Sequence, residues 1–181
     1  MGDRVAILAD TSTEVREHAE AARLNADGGI ILVPVDFSDH SEAALLKAAE
    51  YAEAMSASLV VLHVVHDPGE MPGYYSKLIK KKRATRIQDM AAEAFDLFMD
   101  EATEHGRALV SLQDADRLMV SGLPVTRILE VVEYLDPMMV VMGSQGRTGL
   151  KHLVIGSKAA QIVQLCPVPV TIVKKPEPDE Q

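Results

Sequence analysis

Gly143, Gly146, Gly156 and Ser157 carry the clearest chemical signal in this sequence. They lie in VVMGSQGRTGLKHLVIGS, residues 140–157, which begins as a buried apolar run and turns abruptly into small residues. Without a Cβ, glycine lets backbone N–H groups approach an anion closely. Gly156-Ser157 opens the next helical pattern, where unpaired N–H groups and the helix dipole favour a phosphate. Ser157 adds a hydroxyl donor, and Arg147 and Lys158 add positive charge. Gly-x-x-Gly alone is as readily a plain turn. A second Gly-Ser nine residues later, behind a strand, tips the reading to a phosphate cradle. No GxxxxGK[ST] occurs, and no GxGxxG follows a strand, so neither a Walker loop nor a dinucleotide fingerprint is present.

A cradle needs elements to hold it. Five segments read as buried strands: residues 29–35, 58–65, 117–121, 137–143 and 168–174. Most are continuous apolar runs, which suits a parallel sheet covered on both faces. Helical patterns fall between them. SEAALLKAAEYAEAM (41–55) follows Ser38 and Asp39, either of which can cap it. A long stretch from about Ser76 to His105 repeats apolar residues near every 3.6 positions. PVTRILEVVEYL (124–135) opens on Pro124, a favoured first helical residue. SKAAQIVQLC (157–166) stops before Pro167. The order is strand–helix five-fold without a final helix, which predicts right-handed crossovers and one doubly wound open sheet with helices on both faces. In such a sheet the ligand crevice lies beyond the carboxyl ends of the strands at the switch point. Asp36 projects there past the first strand, placed to accept from ribose hydroxyls or to help hold a divalent cation.

The chain of 181 residues carries net charge −9, one cysteine and no tryptophan. The acidic balance argues against general nucleic-acid binding. One cysteine allows no internal disulfide, which fits a reducing compartment. The apolar run in MGDRVAILAD is too short for a signal or membrane segment, so the expectation is a cytoplasmic protein away from membranes. Residues 1–28 read as an extension with a short apolar run and a helix, Thr11 and Glu14 having capping-box spacing. Residues 29–175 form the expected nucleotide-binding domain, and 176–181 a disordered tail.

The remaining reactive side chains draw plainer readings. His63 lies inside an apolar strand and reads as core, His66 and Asp67 as loop residues, His152 as surface and Cys166 as packed. SKLIKKKRATR (76–86) holds six of the eighteen Lys and Arg residues and reads as a solvated helix face; the alternative is a lid, with Tyr74 and Tyr75, that approaches phosphates.

Taken together, ILVPVDFSDHSEAAL, LVVLHVV, MVVMGSQGRTGLKHLVIGS and CPVPVTIVK resemble the universal stress protein family from about Ile30 to Lys175. The family's nucleotide-binding branch carries G-x2-G-x9-G-[ST], matched here by Gly143, Gly146, Gly156 and Ser157. The resemblance implies a Rossmann-like sheet of strand order 3-2-1-4-5. It implies ATP, with Mg²⁺ or Mn²⁺, held by Pro34, Val35, Asp36, Val64, Met142, Gly143, Gly146, Arg147, Gly156, Ser157 and Lys158. It also implies a homodimer through the last strand, Val168–Lys174, which as an unpartnered apolar edge fits that independently. Gln145 stands where many members have His, and Lys158-Ala159 where small or β-branched residues are common. The expected function is an ATP-binding stress-response module with negligible turnover, since no catalytic base is evident. The alternatives are a weak ATPase or autophosphorylating enzyme, and a family member that no longer binds nucleotide.

Overall fold

A computed structural model describes residues 7–9, 28–65, 76–146 and 155–175. Its strands are β1 (Ile7–Ala9), β2 (Ile30–Val35), β3 (Ser58–Val65), β4 (Asp116–Ser121), β5 (Met139–Gly143) and β6 (Val170–Val173). Its helices are α1 (Asp39–Met55), α2 (Ser76–His105), α3 (Val110–Gln113), α4 (Pro124–Leu135) and α5 (Ser157–Leu165). All strand pairs are parallel, in the order β1-β4-β3-β2-β5-β6. The five expected strands therefore take the expected order 3-2-1-4-5, with β2 central.

The five-strand expectation needs one correction. Ile7–Ala9 adds a sixth strand beside β4, in register Ile7↔Leu118 to Ala9↔Val120. A three-residue strand is too short to show a period; the open edge of β4 decides its conformation by offering hydrogen-bond partners. The expected helix after it, with Thr11 and Glu14, and the tail 176–181 lie outside the described residues.

Two apolar layers follow from side-chain alternation. Ile31, Val33, Val35, Leu59, Val61, Val65, Met119 and Val141 face α1, α2 and α3. Ile30, Leu32, Val60, Leu62, Leu118, Val120, Val140 and Met142 face α4 and α5. With so few aromatics the core is largely aliphatic, and all three phenylalanines gather under α2: Phe37 lies 5.7 Å from Phe95 and 5.5 Å from Phe98, centroid to centroid.

The end strand is shorter than its apolar run. β6 covers Val170–Val173 because Pro167 and Pro169 lack the N–H a ladder needs; the Pro169 carbonyl still accepts from Val140 N at 2.9 Å. The link 106–116, which carries no period in the sequence, contains α3, seated by Leu112 at 1% exposure and by Ser111 Oγ donating to the Ala49 carbonyl at 2.9 Å.

His105 meets Glu42 at 2.5 Å, joining the end of α2 to the start of α1. The Glu42 carboxylate raises the His105 pKa above the ordinary 6.5, first through the hydrogen bond and then through charge. The raised folded-state value means that its contribution to stability is complete below 6.5 and fades as pH rises through the higher native value. An NMR titration is expected to place His105 above 6.5, and Glu42→Gln to return it towards that value; an unchanged midpoint in the variant would refute the pairing.

Candidate functional site

The site is built by the turn after β2. Ser38 caps α1: its Oγ accepts from Ser41 N at 3.3 Å, while Ser41 Oγ accepts from Ser38 N at 3.1 Å. This is a capping box with serine in the usual Glu/Gln position. The Ser38…Ser41 spacing was visible in sequence, but nothing there marked Ser41 as the reciprocal partner. Of the two cap candidates the fold uses Ser38; Asp39 sits in the first turn and pairs with Lys175, just past β6. That Lys175 partner holds the Asp39 carboxyl below the usual carboxylate range.

Asp36 is not the cap. Its Oδ1 accepts from Ser38 Oγ at 2.6 Å and from Ser38 N at 3.2 Å, which fixes the carboxylate against the turn. Phe37 then takes φ +62°, a left-handed conformation that is costly for a bulky residue, on the order of 1 kcal/mol. The offset comes from its ring, which stacks on His63 at 4.0 Å and packs on Phe95 and Phe98. His63 Nδ1 donates to the Val35 carbonyl at 2.9 Å, so His63 sits on the α2 side as a structural residue. The reversal at Phe37 sends its ring to one face and leaves Asp36 at the sheet edge.

Across the switch point stands the glycine segment. A Cβ on Gly146 would lie 2.4 Å from Asp36 Oδ2, and one on Gly143 would lie 2.7 Å from the His40 carbonyl oxygen. Only glycine permits both approaches. Ser144 is 2% exposed; its N donates to the Val173 carbonyl at 2.8 Å, and its own carbonyl accepts from Gly156 N at 2.7 Å. The second of these bonds brings the two ends of the glycine segment together, although ten positions separate Gly146 from Gly156, and the first ties its start to β6. Gly156 is the N-cap of α5 and supplies no side-chain hydrogen bond, and Ser157 and Lys158 are exposed at the helix start. The result is a backbone edge with helix N–H groups uncapped by a side chain, next to a glycine segment in which Gly146 packs directly against the Asp36 carboxylate.

The other candidates divide by face. Met142 is buried in the α4/α5 layer and Val64 packs against it. Pro34 alternates with Leu32 and so shares that side. The Val35 side chain is 6% exposed in the opposite layer, so only its backbone can reach the crevice. Arg147, together with His66, Asp67, Tyr74, Tyr75 and His152, lies outside the described residues, and the basic run 76–86 is described only as the start of α2. Cys166 is half buried at the end of α5, packed on the α4/α5 core. Among the described residues no group of three or more His, Cys, Asp or Glu side chains could hold a metal ion, and no helix is long and apolar enough to cross a membrane. Among the described residues, Asp36 is the carboxylate that faces Gly146.

The universal stress protein family matches residues 29–174. The chain belongs to that family. It is similar to universal stress protein MJ0531 of Methanocaldococcus jannaschii, with 29% identity over 147 residues, 81% of this chain and 82% of that protein. Among solved structures it resembles universal stress protein UspA from Lactobacillus plantarum, with TM-score 0.67 and 25% identity over 82% of this chain and 99% of that one. The same fold appears in a universal stress protein in complex with cAMP, at TM-score 0.54 and 21% identity over 80% and 95% of the two chains. It appears again in the Archaeoglobus fulgidus universal stress protein in complex with dAMP, at TM-score 0.51 and 20% identity over 81% and 97%. The match begins at residue 29, so β1 lies outside it.

Proposed function

We propose that this universal stress protein binds an adenine nucleotide, ATP with Mg²⁺ or Mn²⁺, and acts as a cytoplasmic regulatory module with negligible turnover. The observation that carries this reading is the cradle: Gly146 facing Asp36, with the uncapped start of α5 beside it. Phosphate oxygens would be held by Gly143, Gly146, Arg147, Ser157 and Lys158 through backbone N–H groups, one hydroxyl and two cations, while Gly156, whose own N–H is taken by the Ser144 carbonyl, opens the helix beside them. Asp36 would take a ribose hydroxyl, with Pro34, the Val35 backbone, Val64 and Met142 around the base and sugar. A divalent cation would neutralise phosphate charge. The complexes of related proteins with cAMP and dAMP support the adenine preference.

A homodimer belongs to the same proposal. Among the described residues β6 has a strand neighbour on one side only, and all four of its residues are half buried. Val163 and Leu165 on α5 are exposed nearby in sequence. Pairing of two β6 edges would cover such apolar surface.

Two measurements test the nucleotide reading. Mass spectrometry of the native purified protein is expected to find a co-purified adenine nucleotide. Calorimetry with ATP and Mg²⁺ is expected to give one site per chain, weakened roughly tenfold by Ser157→Ala through loss of one charge-assisted hydrogen bond. No heat for the unsubstituted chain would sink the proposal; sustained phosphate release abolished by the same substitution would make it an enzyme instead.

A further inference from the structure

α2 divides its charge along its length. Its opening stretch, SKLIKKKRATR, holds six cations and no acid, whereas residues 87–105 hold six acids and no Lys or Arg. Neighbours three and four apart therefore share a sign within each half, as Lys82 with Arg86, Asp89 with Glu93 and Asp100 with Glu104. Such pairs oppose a helix rather than support it. The dipole gives no relief, since no acidic residue stands in the first turn and Glu104 stands in the last. What seats the helix is its inner face, where Phe95, Phe98, Met99 and Ala102 are buried.

Two contacts fix how α2 lies. Arg117 Nη1 donates to Asp96 Oδ1 at 2.8 Å near the start of β4, and Gln88 Nε2 donates to Ser121 Oγ at 3.5 Å at its end. α2 thus runs antiparallel to β4. Gln88 is level with the carboxyl edge of the sheet, and residues 76–87 carry the helix about 18 Å beyond it. Away from the buried face, Met90 and Leu97 stand 60% and 59% exposed, seven residues apart. Glu93, Asp100 and Glu104 are exposed at the alternating three- and four-residue steps between and after them, with Asp89 and Glu101 alongside. That is the spacing of a two-helix seam. Carried back towards the start of α2, the same steps fall on Arg86, Arg83 and Ile79.

We propose that this stripe is an interface for a second copy of the chain, with two α2 helices antiparallel and the basic half of each on the acidic half of the other. Reversal about the middle of the helix brings Arg83 of one copy level with Asp100 of the other, and Lys82 level with Glu101. Arg86 comes level with Leu97, whose exposed surface suits an arginine stem. A two-fold axis makes each contact twice, so every half meets the opposite sign and the like-charge crowding within each helix is relieved. The interface lies on α2 and is separate from both β6 and the cradle.

Sedimentation equilibrium of the full chain, up to millimolar concentration, tests this in about 0.1 M and about 1 M salt. The screening length falls from about 10 Å to about 3 Å between them. Exposed charge pairs are individually weak, so the expected dissociation constant is on the order of 100 µM at the lower salt, and at least roughly tenfold weaker at the higher. In the dilute solutions used for melting the copies are apart, and a substitution such as Leu97→Ala reports there on the single chain. Two chains of net charge −9 otherwise repel, so an apolar contact such as β6 pairing strengthens with salt instead. Arg83→Glu with Arg86→Glu, and Asp100→Lys with Glu101→Lys, are each expected to lose the salt-weakened step. An equimolar mixture of the two variants is expected to regain it, because an acidic stripe then meets a basic one; a merely solvated helix face would give no such recovery. Association that is absent at low salt, or equal or stronger at high salt, overturns the inference without any variant. A mixture that recovers nothing, or variants that associate as the parent does, overturn it too. If the parent shows no salt-weakened association but binds a poly-glutamate peptide, the inference falls and the basic half belongs to an acidic partner of another kind.

Discussion

Gly143→Ala is expected to lose nucleotide affinity by more than tenfold and to destabilise the fold by about 1–3 kcal/mol, the usual range for overpacking a tight site. The new methyl would stand 2.7 Å from the His40 carbonyl oxygen, 2.8 Å from the His40 carbonyl carbon and 3.1 Å from its Cβ. These are main-chain atoms and the first atom of a side chain, so no rotamer change clears them. Either α1 or β5 must move. α1 starts from the turn that fixes Asp36, and β5 leads into the segment that faces it, so a shift of either opens the cradle. Thermal unfolding followed by ATP titration checks both effects. A variant that melts with the parent and binds as before would show that the close packing of α1 on β5 is not what sets the cradle.

Phe95→Ala is expected to lower stability by about 3–5 kcal/mol, and the melting temperature by roughly 10 °C for a chain of this length. Phe95 is fully buried, and its ring lies 5.7 Å from Phe37 and 6.2 Å from His63. Few aromatics exist to refill the space. The effect should also reach the site, because Phe37 holds its left-handed φ against the ring cluster that Phe95 completes. Nucleotide affinity should therefore fall further than the fraction of folded protein does. Leu97 on the same helix, 59% exposed, is the control: Leu97→Ala should stay within about 0.5 kcal/mol of the parent. Calorimetric melting of the pair decides the matter; similar melting temperatures would deny the aromatic cluster its role.

The residues differ in how openly they announced themselves. Continuous apolar runs identified the five central strands, since burial on both faces leaves no polar alternation to confuse the reading. Pro124 and Pro167 marked a helix start and a helix stop through fixed φ and a missing donor. Ile7–Ala9 could not be read so, because three residues carry no period and an edge hydrogen-bond ladder decided their fate. α3 was equally silent: four residues are held by Leu112 beneath and by the Ala49 carbonyl. Within the site, the glycine spacing was legible because it is local. Strand alternation already put Val35 and Pro34 on opposite faces, but which face held which helices followed only from the assembled sheet, and Ser41 emerged only once the turn had closed.

Arg127 marks the same boundary most sharply. In sequence it is one cation on an amphipathic helix, indistinguishable from a solvated charge. In the fold its stem lies over Gly122, just past β4, with two shielded nitrogens and Glu130 as its carboxylate partner among the described residues. The sequence by itself determined the parallel sheet and the cradle spacing, because these depend on periodicity and chain connectivity, while the strand order came with the family resemblance. Only the tertiary structure decided that Asp36 faces Gly146, that Phe37 turns left-handed, and that the Arg127 side chain is shielded over Gly122. Those outcomes depend on contacts between segments tens of residues apart, which no local pattern encodes.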